Sequence, residues 1–131
     1  MAEQIPFKPY LIRAFYEWTV DNGQTPHIVA KPGGYARVPR QYVKDDYIVL
    51  DISAEATQAL HMDNEGISFK ARFDGRAMDV YLPIENIAGI YPQELGPEEM
   101  MPFETSEPAY RPAPKASEEK NQKKSGLKLV K

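Results

Sequence analysis

Cysteine is absent from this 131-residue chain, which excludes disulfides and thiolate metal sites and fits a reducing compartment. Long apolar runs are missing as well. Nowhere do hydrophobic residues continue for the roughly 18 positions that a membrane-crossing helix needs. The amino terminus, Met1-Ala2-Glu3-Gln4, has no basic stretch followed by an apolar one. A soluble, cytoplasmic protein is expected. Nor is there an excess of positive charge: 16 Lys and Arg stand against 19 Asp and Glu, and within residues 1–92 the balance is nine against twelve. An acidic domain argues against binding dominated by nucleic-acid phosphates.

Recognisable catalytic chemistry is also scarce. Gly33-Gly34 follows Pro32 without a phosphate-binding glycine pattern and reads as a turn. The two histidines, His27 and His61, stand in neither metal-ligand nor triad spacing. Asp45-Asp46 and Asp63-Asn64-Glu65 fall where turns are required, and the second lacks the remaining ligands of a calcium loop. Ser53 and Ser68 have no surrounding signature of an activated nucleophile. No enzyme, no cofactor and no metal site is implied.

What is present is a strong helix followed by strands. From Pro9 to Asp21 the apolar residues recur at helical spacing, with Pro9 suited to the first turn and Asn22-Gly23 to the stop. Two stripes emerge: Leu11, Phe15 and Trp18, and beside them Ile12, Tyr16 and Val20. One stripe suffices to cover a sheet, so the second points either to a neighbouring subunit or to burial on both sides within one chain. Beyond Thr25-Pro26 the pattern changes to short β-rich runs: His27–Ala30, Tyr35–Val38, Tyr47–Ile52, Ile67–Phe73 and, after the Asp74-Gly75 hairpin signal, Arg76–Leu82. Pro83–Tyr91 suits a helical turn or a last strand before Pro92. The expected fold is mainly β with an N-terminal α-helix, its five or six antiparallel strands forming a small barrel or a barrel-like pair of curved sheets.

Residues 1–92 form the expected folded domain. Residues 93–124 read as a flexible linker, since Gln93 to Ser125 carries five prolines, many charges and almost no apolar periodicity. The final seven residues differ: Leu127, Leu129 and Val130 alternate with or adjoin Lys128 and Lys131. An apolar, basic peptide at the end of a tether is suited either to docking on a partner or to returning to its own domain as a last strand.

The opening Pro9-Tyr-Leu-Ile-Arg-Ala-Phe-Tyr-Glu-Trp18, with Asp21-Asn22 and Thr25-Pro-His-Ile-Val29, resembles that of the stringent starvation protein B family. Phe69-Lys-Ala-Arg-Phe73 with Gly75, and the ending Leu127-Lys-Leu-Val-Lys131, are similar to the family's later strand and terminal motif. The resemblance implies a homodimeric, non-enzymatic adaptor of the ClpXP protease. Such an adaptor binds the ssrA tag that tmRNA adds to stalled chains and leaves the tag's carboxyl end to the unfoldase. It further implies a dimer contact through the first helices (Ile12, Tyr16, Val20). A peptide groove on the folded domain is expected at Phe69 and Ala71, with Leu50 and Phe73 as weaker companions. The tail, through Leu127, Lys128, Leu129, Val130 and Lys131, would dock on the N-terminal zinc-binding domain of ClpX. Small Ala71 between two phenylalanines either opens space on its face or packs against another strand. The alternative function is a small β-barrel that binds single-stranded RNA, for which Phe69-Lys-Ala-Arg-Phe73 supplies aromatics interleaved with bases.

Overall fold

The computed structural model describes residues 4–108. Helix α1 (Lys8–Asp21) carries Pro9 in its first turn, where the missing N–H is no loss. It ends at Asn22, whose side chain donates to the Trp18 carbonyl (2.8 Å), and Gly23 follows at φ +71°, a left-handed conformation that glycine adopts without strain.

Among the described residues seven strands form two antiparallel sheets. The first holds β1 (Pro26–Ala30), β2 (Ile48–Asp51), β6 (Ile87–Pro92) and β7 (Met101–Pro102) in the order β2-β1-β6-β7. The second holds β3 (Gln58–Met62), β4 (Gly66–Phe73) and β5 (Arg76–Pro83) in the order β3-β4-β5. The sheets do not close into a barrel, so of the two expected forms the pair of sheets is the one adopted. The run that could have bridged them, Tyr35–Val38, is hemmed by Pro32-Gly33-Gly34 and Pro39, and contributes only an isolated bridge from Arg37 to Tyr81. Strand β3 had no forecast; its alternation is weak, and Ala59 at φ +57° breaks its register with β4. The segment after β5 takes both forms proposed for it, a 3₁₀ turn at Ile84–Asn86 and then β6.

The β4–β5 hairpin is the most regular element. Its turn residues Asp74 and Gly75 sit at φ +53° and +81°, the pair of positive values that a two-residue hairpin turn requires. That turn sets every pairing from Phe73↔Arg76 to Gly66↔Pro83. Both sheets and the helix share one core, in which Ile12, Ile28, Leu50, Ile67, Phe69, Leu82 and Ile90 are all buried.

Two expectations need correcting. Ile12, assigned to a subunit contact, is 1% exposed and belongs to the chain's own core. The helix faces the sheets through Pro9, Ile12 and Thr19, a face hidden in the sequence because Thr19 is polar; its hydroxyl is satisfied by the Phe15 carbonyl (2.8 Å). The linker expected from Gln93 instead begins as a strap that stays on the domain. β7 pairs with β6 through Gly89↔Pro102 and Ile90↔Met101. Beyond it, Phe103 N–H donates to Ala88 O (2.8 Å) and Ser106 N–H to Glu85 O (3.0 Å). Buried Asn86 joins the strap to the turn after β1, donating to Ser106 O (3.0 Å) and accepting from Gly33 N–H (3.0 Å). Proline and charge content had marked this stretch as a coil, but Met101 and Phe103 pack on the core. Met100 lies over Gly89, where a side chain would collide with it.

Candidate peptide groove

On β4, Ile67, Phe69, Ala71 and Phe73 point to one face by strict alternation. The register sets Leu82, Val80, Met78 and Arg76 of β5 opposite them. This face closes at one end and opens at the other: Ile67 and Phe69 are buried at 0% and 4% exposure, while Ala71, Phe73 and Met78 are half-buried and Arg76 is exposed. The cause lies in the hairpin's length, which carries its tip beyond the shared core.

Leu50, on the edge strand β2, and Phe69 are members of the core, and Ala71 and Phe73 pack against it. The four residues expected at the groove are thus joined in one apolar assembly. Ala71 and Phe73 are half-buried and have surface to offer, whereas Leu50 and Phe69, both 4% exposed, are covered. Two neighbouring groups were missed. Met78 was legible from the Asp74-Gly75 turn, which dictates the Ala71↔Met78 pairing. Tyr42 comes from the irregular segment before β2 and left no periodic signal. Tyr42 lies with its ring 5.7 Å from that of Phe73, and its hydroxyl is hydrogen-bonded to the Asp74 carboxylate, which raises its pKa above the ordinary tyrosine value. An aromatic lip therefore borders the small Ala71 position.

The opposite face of β4 is polar and already engaged. Lys70 lies 3.9 Å from the Asp79 carboxylate, and Arg72 donates to the Gly75 carbonyl (3.0 Å). A second, shallow concavity of about 430 Å³ lies between α1 and the β3–β4 turn, lined by Tyr10, Arg13, Met62, Asp63, Asn64 and Glu65. The Arg13 guanidinium lies over the Tyr10 ring and donates to Asn64 Oδ1 (3.0 Å). Partial burial works to raise the pKa of Asp63, but the N–H groups of Glu65 and Gly66 and the His61 ring outweigh it and hold the carboxyl below its ordinary value. The carboxylate thus serves the turn. Among the described residues no cluster of three or more His, Asp or Glu side chains could hold a metal ion, and no helix is long and apolar enough to cross a membrane.

Of the residues expected at subunit contacts, Val20 is exposed and Tyr16 half-buried, and the largest exposed group on the helix is Trp18 at 50%. The expected docking residues Leu127, Lys128, Leu129, Val130 and Lys131 lie outside the described residues.

A two-sheet β domain with one N-terminal helix, and with one apolar sheet face left open towards a hairpin tip, is the class of protein this geometry defines. The family model for stringent starvation protein B matches residues 6–129, and the chain belongs to that family. It is similar to the stringent starvation protein B homolog of Haemophilus influenzae, at 45% identity over 92 residues that make up 70% of this chain. The matched stretch covers 61% of the relative, so the chain spans less than two thirds of that protein's length.

Proposed function

We propose that this protein is a cytoplasmic adaptor that holds the ssrA tag of tmRNA-tagged polypeptides and brings them to the ClpX unfoldase for degradation by ClpXP. The observation that carries the reading is the open end of the β4–β5 inner face. There half-buried Ala71, between Phe69 and Phe73 and opposite Met78, is the smallest side chain on the face, next to Phe73 and its ring partner Tyr42. An extended peptide is held in such a place by small side chains entering the gap and by backbone hydrogen bonds to a neighbouring strand. Family membership supports the same reading. The RNA-binding alternative draws no support from β4, because Phe69 is buried and Lys70 and Arg72 already have partners on the other face.

Two further parts complete the proposal. The exposed side of α1, with Trp18 and Val20, forms the contact of a homodimer. The segment Leu127–Lys131 docks on the N-terminal zinc-binding domain of ClpX, with Leu127, Leu129 and Val130 as apolar anchors and Lys128 and Lys131 as charge partners. Tethering of this kind raises the local concentration of tagged substrate to about the mM range, and two tails on a dimer add avidity. ATP hydrolysis and peptide cleavage then belong to the partner.

The decisive test is titration of a fluorescently labelled ssrA peptide into the purified protein, with a scrambled peptide as control. Saturable binding of the tag alone is expected; equal binding of both peptides would refute the groove. Removal of Leu127–Lys131 is expected to leave that affinity unchanged while ClpXP degradation of a tagged protein falls to its adaptor-free rate. Full acceleration by the truncated chain would show that docking lies elsewhere.

A further inference from the structure

An open sheet edge invites another strand, and folded proteins blunt their edges against it. Edge strand β7 is only Met101–Pro102 and carries a proline. Strand β3 is broken at Ala59, where its register with β4 shifts, and the outer side of β5 is taken at Tyr81 by Arg37. In β2 no proline, lysine or register shift interrupts Ile48–Asp51. Its pairing with β1 shows which groups are free. Ile52 N–H donates to Pro26 O (3.0 Å), so by antiparallel alternation Leu50 and Ile48 also bond to β1, and the N–H and C=O of Val49 and Asp51 point outward. Tyr47 points outward as well, but its N–H donates to Lys44 O (2.9 Å) and its carbonyl accepts from Lys44 N–H (2.7 Å). Among the described residues the main-chain groups of Val49 and Asp51 have no backbone partner. This short open stretch adjoins the candidate groove. Leu50, between the two, shares its apolar assembly with Ala71 and Phe73, and Tyr42, beside Phe73, leads into the Lys44–Tyr47 pair.

We propose that β2 receives an extended peptide as an added strand, with Val49 and Asp51 holding the backbone of the bound tag. The proposal rests on the groove reading above and names the strand that completes it. Two peptide residues, one apart from each other, bond through their main-chain groups to Val49 and Asp51. The residue between them turns its side chain to the side that Leu50 shares with Ala71 and Phe73; the bonded two turn theirs to the outer side, beside Val49, which is 51% exposed. A second copy of the chain does not fit this edge. With Val49 opposite Val49 across a twofold axis, Asp51 faces the second copy's Tyr47, whose groups are spent on Lys44. With Leu50 opposite Leu50, the second copy's Ser53 falls where Lys44 already lies beside Tyr47. A lone extended strand meets neither obstacle, because it leaves the edge where Lys44 begins.

The test is amide hydrogen exchange in the full chain, read residue by residue by NMR. In the free protein the Val49 and Asp51 amides are expected to exchange fast and those of Ile48 and Leu50, bonded to β1, slowly. Saturation with the ssrA peptide should slow Val49 and Asp51 at least tenfold. Slow exchange at both in the free protein would mean that the edge is already covered, and overturns the proposal. A peptide that binds while both amides stay fast overturns strand addition and leaves the groove standing; a peptide that does not bind removes both. In parallel, backbone N-methylation is moved one residue at a time along the peptide. Affinity should fall at least tenfold at two positions two residues apart and hold at the residue between them, whose N–H points away from β2. Equal loss at every position, or loss at none, overturns the pairing.

Discussion

A methyl group and an amine carry the most specific expectations at the scale of single residues. Ala71 is the smallest side chain on the open face of β4. Ala71→Gln fills the gap and sets an amide against Phe73 and Met78. Tag affinity should fall at least tenfold, about 1.4 kcal/mol, while the half-exposed position lets the fold accept the change; peptide titration paired with a thermal melt separates the two effects. Lys8 sets a pH dependence. Burial, which outweighs the charge of Glu85, lowers its folded pKa to about 8, below the ordinary lysine value, so between these two values the unfolded chain binds more protons and stability rises with pH. After discounting for its half-exposed position, the rise is about 1 kcal/mol. Denaturant unfolding at pH 7, 8, 9 and 10 should show this increment in the native protein relative to Lys8→Met, with no such difference accumulating below pH 7.

Elements that look alike in composition behave differently once packing is counted. The strap from Gln93 to Pro108 has the prolines and acidic residues of a linker, yet it supplies a two-residue edge strand at Met101–Pro102 and places Phe103 on the core. Pro102 is tolerated because an edge strand need not offer every N–H. A chain ending at Pro92 should therefore lose about 3 kcal/mol, the order of a large apolar side chain removed from its packing. A chain ending at Pro108 should unfold at the native urea midpoint. Coincident midpoints for the two truncations would mean that the strap adds nothing to the fold. The β4–β5 hairpin makes the opposite case, since two turn residues suffice to set eight pairings and so the whole lining of the open face.

Over the whole molecule, α1 divides its apolar residues between inside and outside. Ile12 is sealed in the core, whereas Trp18 and Val20 remain half open to water. A charge at each position should have a different consequence. Ile12→Glu buries an uncompensated carboxylate and should unfold the domain. Trp18→Glu should leave the far-UV spectrum native and turn the proposed dimer into a monomer in sedimentation at micromolar concentration. A native protein that already sediments as a monomer would remove the proposed subunit contact.

The helix, the β4–β5 hairpin and the mainly β class were determined by the sequence alone, because each rests on local rules: the 3.6-residue period of α1, the φ > 0 demand met by Asp74-Gly75, and the two-residue period from Ile67 to Phe73. Family kinship was equally legible, in the aromatic run from Pro9 to Trp18. Only the tertiary structure decided what depends on partners distant in the chain. It sent Ile12 and Thr19 inward together, since Thr19 can turn its hydroxyl back on Phe15. It brought Tyr42 to Phe73 across an irregular segment and held the strap through Asn86 and the bare backbone of Gly89. It also left the two sheets open, because the run that could have joined them is too short between its glycines and prolines to pair along its length. Periodicity reports which face of an element is apolar; what covers that face is settled by side chains that fold in from elsewhere.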